Sequence, residues 1–414
     1  MSKTAALTEG DLDFAQGLFA DHFDAEPPIP PAAVEKREFA FSLFGGDGAG
    51  PFARHRSFSS TPALLDEIKR LSPRHTYYST AFYEHPGHLS MKEKNWEGAE
   101  VIFDLDADHL RNAEGLSYVR QLELAKQRFL FLLDEFLFRD FGLDEASVQI
   151  VFSGGRGYHA HVLAPAFERL TSMERRELVD YIMGVGFEPE KDSFETDTEQ
   201  IPHAGAKKYR RLATSEEAGW KGRMAREVLR WVRSRKDLTE EAMAVQVLDV
   251  LGELRVEAKR GLARRARTIA KQLVDPETQR AILERGALEN FGSDENRDFF
   301  LEAISRRLAI PLQGETDAPV TTDVHRLIRM PGSLHGGTGF VVRPIERREL
   351  DRFDPFRDAL LSQGSARSQT VELLQDVDYS EGNPSLLGKA GARLTLTEPL
   401  ALFLVLRGDG TVVR

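Results

Sequence analysis

The phrase Phe103-Asp104-Leu105-Asp106-Ala107-Asp108 closes an apolar run. In an extended chain alternate side chains share a face, so Asp104 and Asp106 project together while Phe103 and Leu105 point into a core. Two carboxylates held that close repel each other. The pair becomes tolerable with a divalent cation between them, and oxygen donors suit Mg2+ or Mn2+, which also bridge phosphates. Two such ions can activate an attacking 3′-hydroxyl and clamp a leaving pyrophosphate. A solvated acidic strand end is the plainer reading of the same residues.

A second phrase, Ser153-Gly154-Gly155-Arg156-Gly157-Tyr158-His159-Ala160-His161, follows the apolar run ending at Phe152. Three glycines in four positions let backbone N–H groups approach an anion, and Arg156 adds a planar, permanently charged fork, a composition that suits a triphosphate cradle. His159 and His161 alternate with Tyr158 and Ala160 and so share a face. The alternative is a glycine-requiring hairpin turn with one histidine buried. The spacing is not that of a Walker loop, which needs Lys-Ser/Thr opening a helix. A third phrase runs from Thr322 through Asp323, Arg326 and Arg329 to the Pro331-Gly332 reversal and His335, so one acid and several cations converge. A helix cap at Asp323 and exposed arginines are the plainer reading of the same residues.

The elements that must position these residues are short. Strand-like runs occur at 38–41, 100–103, 148–152, 158–163 and 339–342, and an amphipathic helix over 118–141 is expected to cover one sheet face. A Pro-rich turn at 27–31 separates a helical N-terminal segment from the first of them. From about Thr171 to about Arg307 the text reads almost wholly as amphipathic helices. The expected organisation is an α+β core over 1–170 and 308–364, a helical insertion over 171–307, and a small C-terminal element over 365–414 packed on the core.

Whole-chain properties narrow the class. With 414 residues, 41% hydrophobic and 29% charged, the chain can build a sizeable core, and no apolar run approaches the ~20 residues that span a bilayer. There is no cysteine, and Met1 to Ala6 lack an apolar signal core, so a cytoplasmic location is expected. A net charge of −11 argues against a protein that coats nucleic acid by bulk electrostatics. Two basic stretches stand out, Lys207 to Lys236 and Lys259 to Lys271. They read either as solvated helix faces or as a nucleic-acid contact.

Together and in this order, the three phrases resemble the catalytic small subunit of archaeal/eukaryotic-type primases, the archaeal form more than the eukaryotic. Arg37-Glu38-Phe39-Ala40-Phe41, Arg54-His55-Arg56-Ser57-Phe58, Met91 to Trp96 and Leu400 to Gly408 extend the resemblance over most of the chain. It implies a primase catalytic core of mixed sheets flanked by helices, with an inserted helical subdomain. It further implies synthesis of short RNA or DNA primers from nucleoside triphosphates on single-stranded DNA. Metal ligands would fall on Asp104, Asp106 and Asp323, holding two Mg2+ or Mn2+ ions. Triphosphate contacts would fall on Ser153, Arg156, His159, Arg329 and His335, with Glu38 and Arg54 as further nucleotide-binding positions. A primase large subunit is the implied partner. Many relatives carry a zinc knuckle shortly after the acidic pair; the absence of cysteine predicts no structural zinc here. The alternatives are a primase-polymerase of repair or of a mobile element, and a non-catalytic nucleic-acid-binding scaffold.

Overall fold

The computed structural model describes residues 7–45, 50–201, 205–252, 261–288, 293–362, 364–379 and 385–413. Two compact units emerge, one formed by Met1–Leu133, Leu143–Val179 and Glu315–Arg414, the other by Asp134–Gly142 and Asp180–Gly314. The chain is α+β. Among the described residues no helix is long and apolar enough to cross a membrane. The start Met1 to Ala6 lies outside the described residues, as do Lys259, Arg260 and the side chains of Lys207, Lys208 and Arg210.

The first unit carries two four-stranded sheets. One has the order Leu327–Arg329, His75–Ser79, Phe39–Ser42, Phe52–Arg56; the other has Arg343–Ile345, Val148–Phe152, Gly157–Val162, Val101–Asp106. Every pairing in both is antiparallel. In the second sheet Gly157–Val162 is buried along its whole length. Helix Tyr118–Phe131 starts at the Ser117 cap and lays Tyr118, Leu122, Ala125 and Phe129 inward. Phe129 stacks on Tyr158 with ring centres 5.4 Å apart. At the C-terminus, helix Glu398–Arg407 is buried from Pro399 to Leu406, and Phe403 packs against Phe340 and Phe356 at 5.1 and 5.0 Å.

The second unit packs helices Gly219–Arg233, Glu240–Leu251, Leu262–Leu273, Pro276–Arg285 and Asp294–Leu312 around one apolar cluster that includes Val228, Trp231, Val247, Ile269 and Phe300. It also contains a hairpin, Phe194–Ile201 with Gly205–Leu212, inside a stretch that reads as helical in sequence. These strands are rich in charge and lack apolar alternation, so periodicity does not reveal them. Opposed charges support the pairing, as where Arg211 meets Glu195 at 2.8 Å.

A second departure concerns 339–342. The strand that joins the sheet is Arg343–Ile345, while Val341 stands opposite Leu334 and the Val342 N–H donates to the Ser333 carbonyl around a turn. A buried apolar run of four residues does not by itself tell a sheet strand from a packed turn.

The glycine hairpin lies unusually close to the acidic strand. A Cβ at Gly157 would stand 2.4 Å from the Leu105 carbonyl oxygen and 2.8 Å from the Asp106 Cα. Gly157→Ala is therefore expected to lower stability by about 2–3 kcal/mol, read as a lower urea midpoint. Gly115→Ala, at φ +79° in open space, should cost only about 1 kcal/mol.

Candidate active site

Strand Val101–Asp106 alternates as its sequence requires: Phe103 and Leu105 are buried, while Asp104 and Asp106 are part-exposed on the opposite face. Antiparallel pairing sets Asp104 opposite His159 and Asp106 opposite Gly157. The acids thus meet both the histidine and the glycine turn of the second phrase through backbone register alone. Asp104 Oδ1 lies 3.5 Å from His159 Nε2. Burial drives the Asp104 carboxyl up to about 7. Asp106 and Asp317 add to the rise, and Arg329 and Arg326 act against it. Burial holds the His159 ring well below its ordinary pKa, helped by His161, Arg329 and Arg326, so the imidazole is neutral. Its Nδ1 is buried without a hydrogen-bond partner among the described residues.

A further acid beside Asp104, Asp317, is one that sequence reasoning passed over. Asp317 donates its backbone N–H to the Asp104 carbonyl at 2.7 Å, and the Thr316 hydroxyl donates to the same oxygen at 3.1 Å. Asp317 opens the short helix Ala318–Thr322 and Asp323 follows its last residue. The Asp323 carboxylate accepts the His325 N–H at 2.9 Å, and its charge acts on Tyr83 and Arg175. Asp317 was legible in one respect: Thr316-Asp317-Ala318-Pro319 is a helix-start signal, with an acid at the cap and proline just inside.

The turn Ser153–Gly157 is pinned from all sides. Ser153 Oγ accepts from Gly155 N and Gly157 N at 3.2 and 3.3 Å, so this hydroxyl organises the loop's own amides. The Gly155 carbonyl accepts from the Tyr118 hydroxyl at 2.7 Å and the Gly154 carbonyl from Thr338 at 2.5 Å. Gly154 sits at φ +76°, and a Cβ there would be 2.7 Å from His335 Cβ, so glycine is required twice over. The Arg156 guanidinium stands at the rim, one third exposed, paired with Asp108 and reaching Gln121 at 3.5 Å.

His335 closes on the turn from the third phrase. Its ring meets His75 edge-on at 5.1 Å, and burial keeps it well below its usual pKa, with Arg329 and His75 contributing. Arg329 lies opposite Tyr77 in the first sheet, and its Nε is buried without a hydrogen-bond partner among the described residues. Glu38 and Arg54 pair directly, Arg54 Nε donating to Glu38 Oε1 at 3.0 Å, with Lys94 at 3.2 Å from the other oxygen. Burial works to raise the Glu38 carboxyl, but Arg54, Lys94 and the His55 N–H together outweigh it and hold it below the usual range.

Among the described residues no group of three or more His, Cys, Asp or Glu is drawn together tightly enough to form a finished metal cage. The donor set nevertheless fits a hard divalent cation. It is all oxygen, burial and the neighbouring acids together push one carboxyl toward neutrality, and the nearby guanidinium groups only partly offset the charge.

The model of the family described as DNA primase small subunit matches residues 103–347, which hold all three phrases. DNA primase small subunit PriS of Methanocella arvoryzae is 35% identical over 96% of this chain and 97% of its own length. PriS of Methanothrix thermoacetophila is 36% identical over 96% and 98%, and PriS of Methanosarcina acetivorans 37% over 84% of each. The chain belongs to the DNA primase small subunit family and is a DNA-directed nucleotidyltransferase of replication.

Proposed function

We propose that the chain joins nucleoside triphosphates on a single-stranded DNA template at a divalent-metal site held by Asp104 and Asp106, with Asp317 as the third carboxylate. The observation that carries this reading is geometric: Asp104 and Asp106 share one face of their strand opposite His159 and the Gly157 turn, and the Asp317 N–H is bonded to the Asp104 carbonyl. Asp323, the position implied by the family resemblance, instead orders the turn that carries His325 and Arg326. Bound Mg2+ or Mn2+, two ions in the full site, would favour ionisation of the attacking 3′-hydroxyl and neutralise the departing pyrophosphate.

The protein's part is positioning and charge. Arg329, His335 and the rim arginine Arg156 are placed to receive the triphosphate, and Arg156 would exchange Asp108 for phosphate oxygens. The neutral imidazole of His159 orients the Asp104 carboxylate. The 3′-oxygen attacks the α-phosphorus, the bond to the bridging oxygen of the β-phosphate breaks, and pyrophosphate leaves. A primase large subunit is the proposed partner of this subunit, as the name carried by its relatives indicates.

Three outcomes test the reading. On a single-stranded template with labelled nucleoside triphosphates and Mn2+ or Mg2+, Asp317→Asn should lower primer synthesis by roughly 100-fold or more, and Asp323→Asn by less than about tenfold. The reverse order would return the third-ligand role to Asp323. Arg156→Ala should mainly raise the nucleotide KM, and an unchanged KM would remove Arg156 from the phosphate site.

The pH dependence of metal-free stability has a definite sign. Asp104 is raised in the folded protein, so its favourable contribution is complete below the unfolded value near 4 and is lost as pH rises through about 7. Asp104→Asn should flatten that decline and raise the melting temperature at pH 8, by an amount corresponding to about 2 kcal/mol. Added Mn2+ should stabilise the wild type more than this variant.

A further inference from the structure

We propose that the sheet face carrying Phe52 and Tyr77 is a nucleobase-stacking platform, and that Phe52 holds the base of the nucleotide whose 3′-hydroxyl attacks. The proposal rests on the reading of Asp104 and Asp106 as the metal acids.

Residues paired across neighbouring strands point to the same face. Ser42 pairs with both Phe52 and His75, while Tyr77 pairs with Ala40 and Arg329. One face of the first sheet therefore presents Phe52, His75, Tyr77 and Arg329 together. Arg54 joins them, two residues beyond Phe52 and held by Glu38 from the same face. Phe52 is 52% exposed, and a phenyl ring left in water on a strand forgoes the gain that burial would bring. Its ring stands edge to face with Tyr77 at 6.0 Å and 74° between planes, so the two form an aromatic corner.

The corner has cations on both sides. The Arg329 guanidinium carbon lies 6.0 Å from the Tyr77 ring centre and acts electrostatically on Asp104. On the other side Arg54 is 39% exposed, with Nε fixed by Glu38. The order along the face is thus acids, Arg329, Tyr77, Phe52. A triphosphate at Arg329 places its own nucleoside toward Tyr77, and Phe52 lies one ring further out, where the next base of a stacked pair falls. Stacking accepts any base, which is what an enzyme copying arbitrary template requires.

The test compares wild type, Phe52→Ala and Phe52→Trp in extending an annealed primer whose terminal residue, bearing the 3′-hydroxyl, is either natural or abasic. Melting temperatures are measured alongside. Phe52→Ala is expected to slow extension of the natural primer about tenfold, in line with the loss of one base–aromatic stack. Phe52→Trp should restore it, and the abasic primer should be extended equally by all three proteins. Undiminished extension of the natural primer by Phe52→Ala would overturn the platform, as would the same fractional loss on natural and abasic primers. Failure of the wild type to extend either primer would instead overturn the functional reading on which the platform stands.

Discussion

The site depends on one register. Strand Val101–Asp106 pairs with Gly157–Val162 so that Asp104 faces His159 and Asp106 faces Gly157. A shift by a single residue would turn both acids into the core and bring Phe103 and Leu105 to the surface. Two features forbid that shift. Gly157 lies so near the Leu105 carbonyl that only a residue without Cβ fits there, and the turn preceding it is tied to Tyr118 and Thr338. The acidic and glycine-rich phrases, 47 residues apart as counted from Asp106 to Ser153, are in effect one object.

Charge balance is the second constraint. Burial penalises ionisation of Asp104; Asp106 and Asp317 add negative charge beside it, and Arg329 and Arg326 lie near enough to act on it without neutralising the group fully. The neighbouring histidines add no positive charge, since burial keeps His75, His159 and His335 neutral. The folded protein therefore carries an electrostatic deficit that a divalent cation would relieve, and that deficit is a stronger indication of metal than the aspartate spacing alone.

Much of this was legible in the sequence, and its limits are instructive. Alternation in 101–106 and glycine density in 154–157 gave the right faces and the right turn, because period-two geometry and backbone freedom are local properties. That Asp317 rather than Asp323 bonds Asp104 was not a local property. Asp317 and Asp323 stand at opposite ends of one short helix, and which end meets Asp104 depends on the bonds from Thr316 and Asp317 to its carbonyl. Ser153 has a part that its place in the phrase does not announce: its oxygen accepts from the loop's own amides. The hairpin 194–212 escaped because charged residues fill strands that carry no apolar alternation.

The remaining question is what fixes the first sheet, which brings Arg329 to the acids. Tyr78, the neighbour of Tyr77, points the other way and bonds the His161 ring at 3.2 Å. His161 also lies 3.7 Å from Glu100, which in turn pairs with the fully buried Arg37. Burying such an ion pair costs several kcal/mol per charge unless its hydrogen bonds are met. Here Arg37 donates to the carbonyls of Ala32, Ser79 and Thr80 as well as to Glu100, and its guanidinium stacks over Phe82 at 4.2 Å. A guanidinium held by these four acceptors tolerates little displacement. Because Tyr77 and Tyr78 are adjacent, locking Tyr78 on one face sets Tyr77 on the other, and pairing carries that orientation across to Arg329. A rigid anchor on the inner face of the strand is thus what allows its outer face to carry exposed rings and an arginine whose Nε has no hydrogen-bond partner within the described residues.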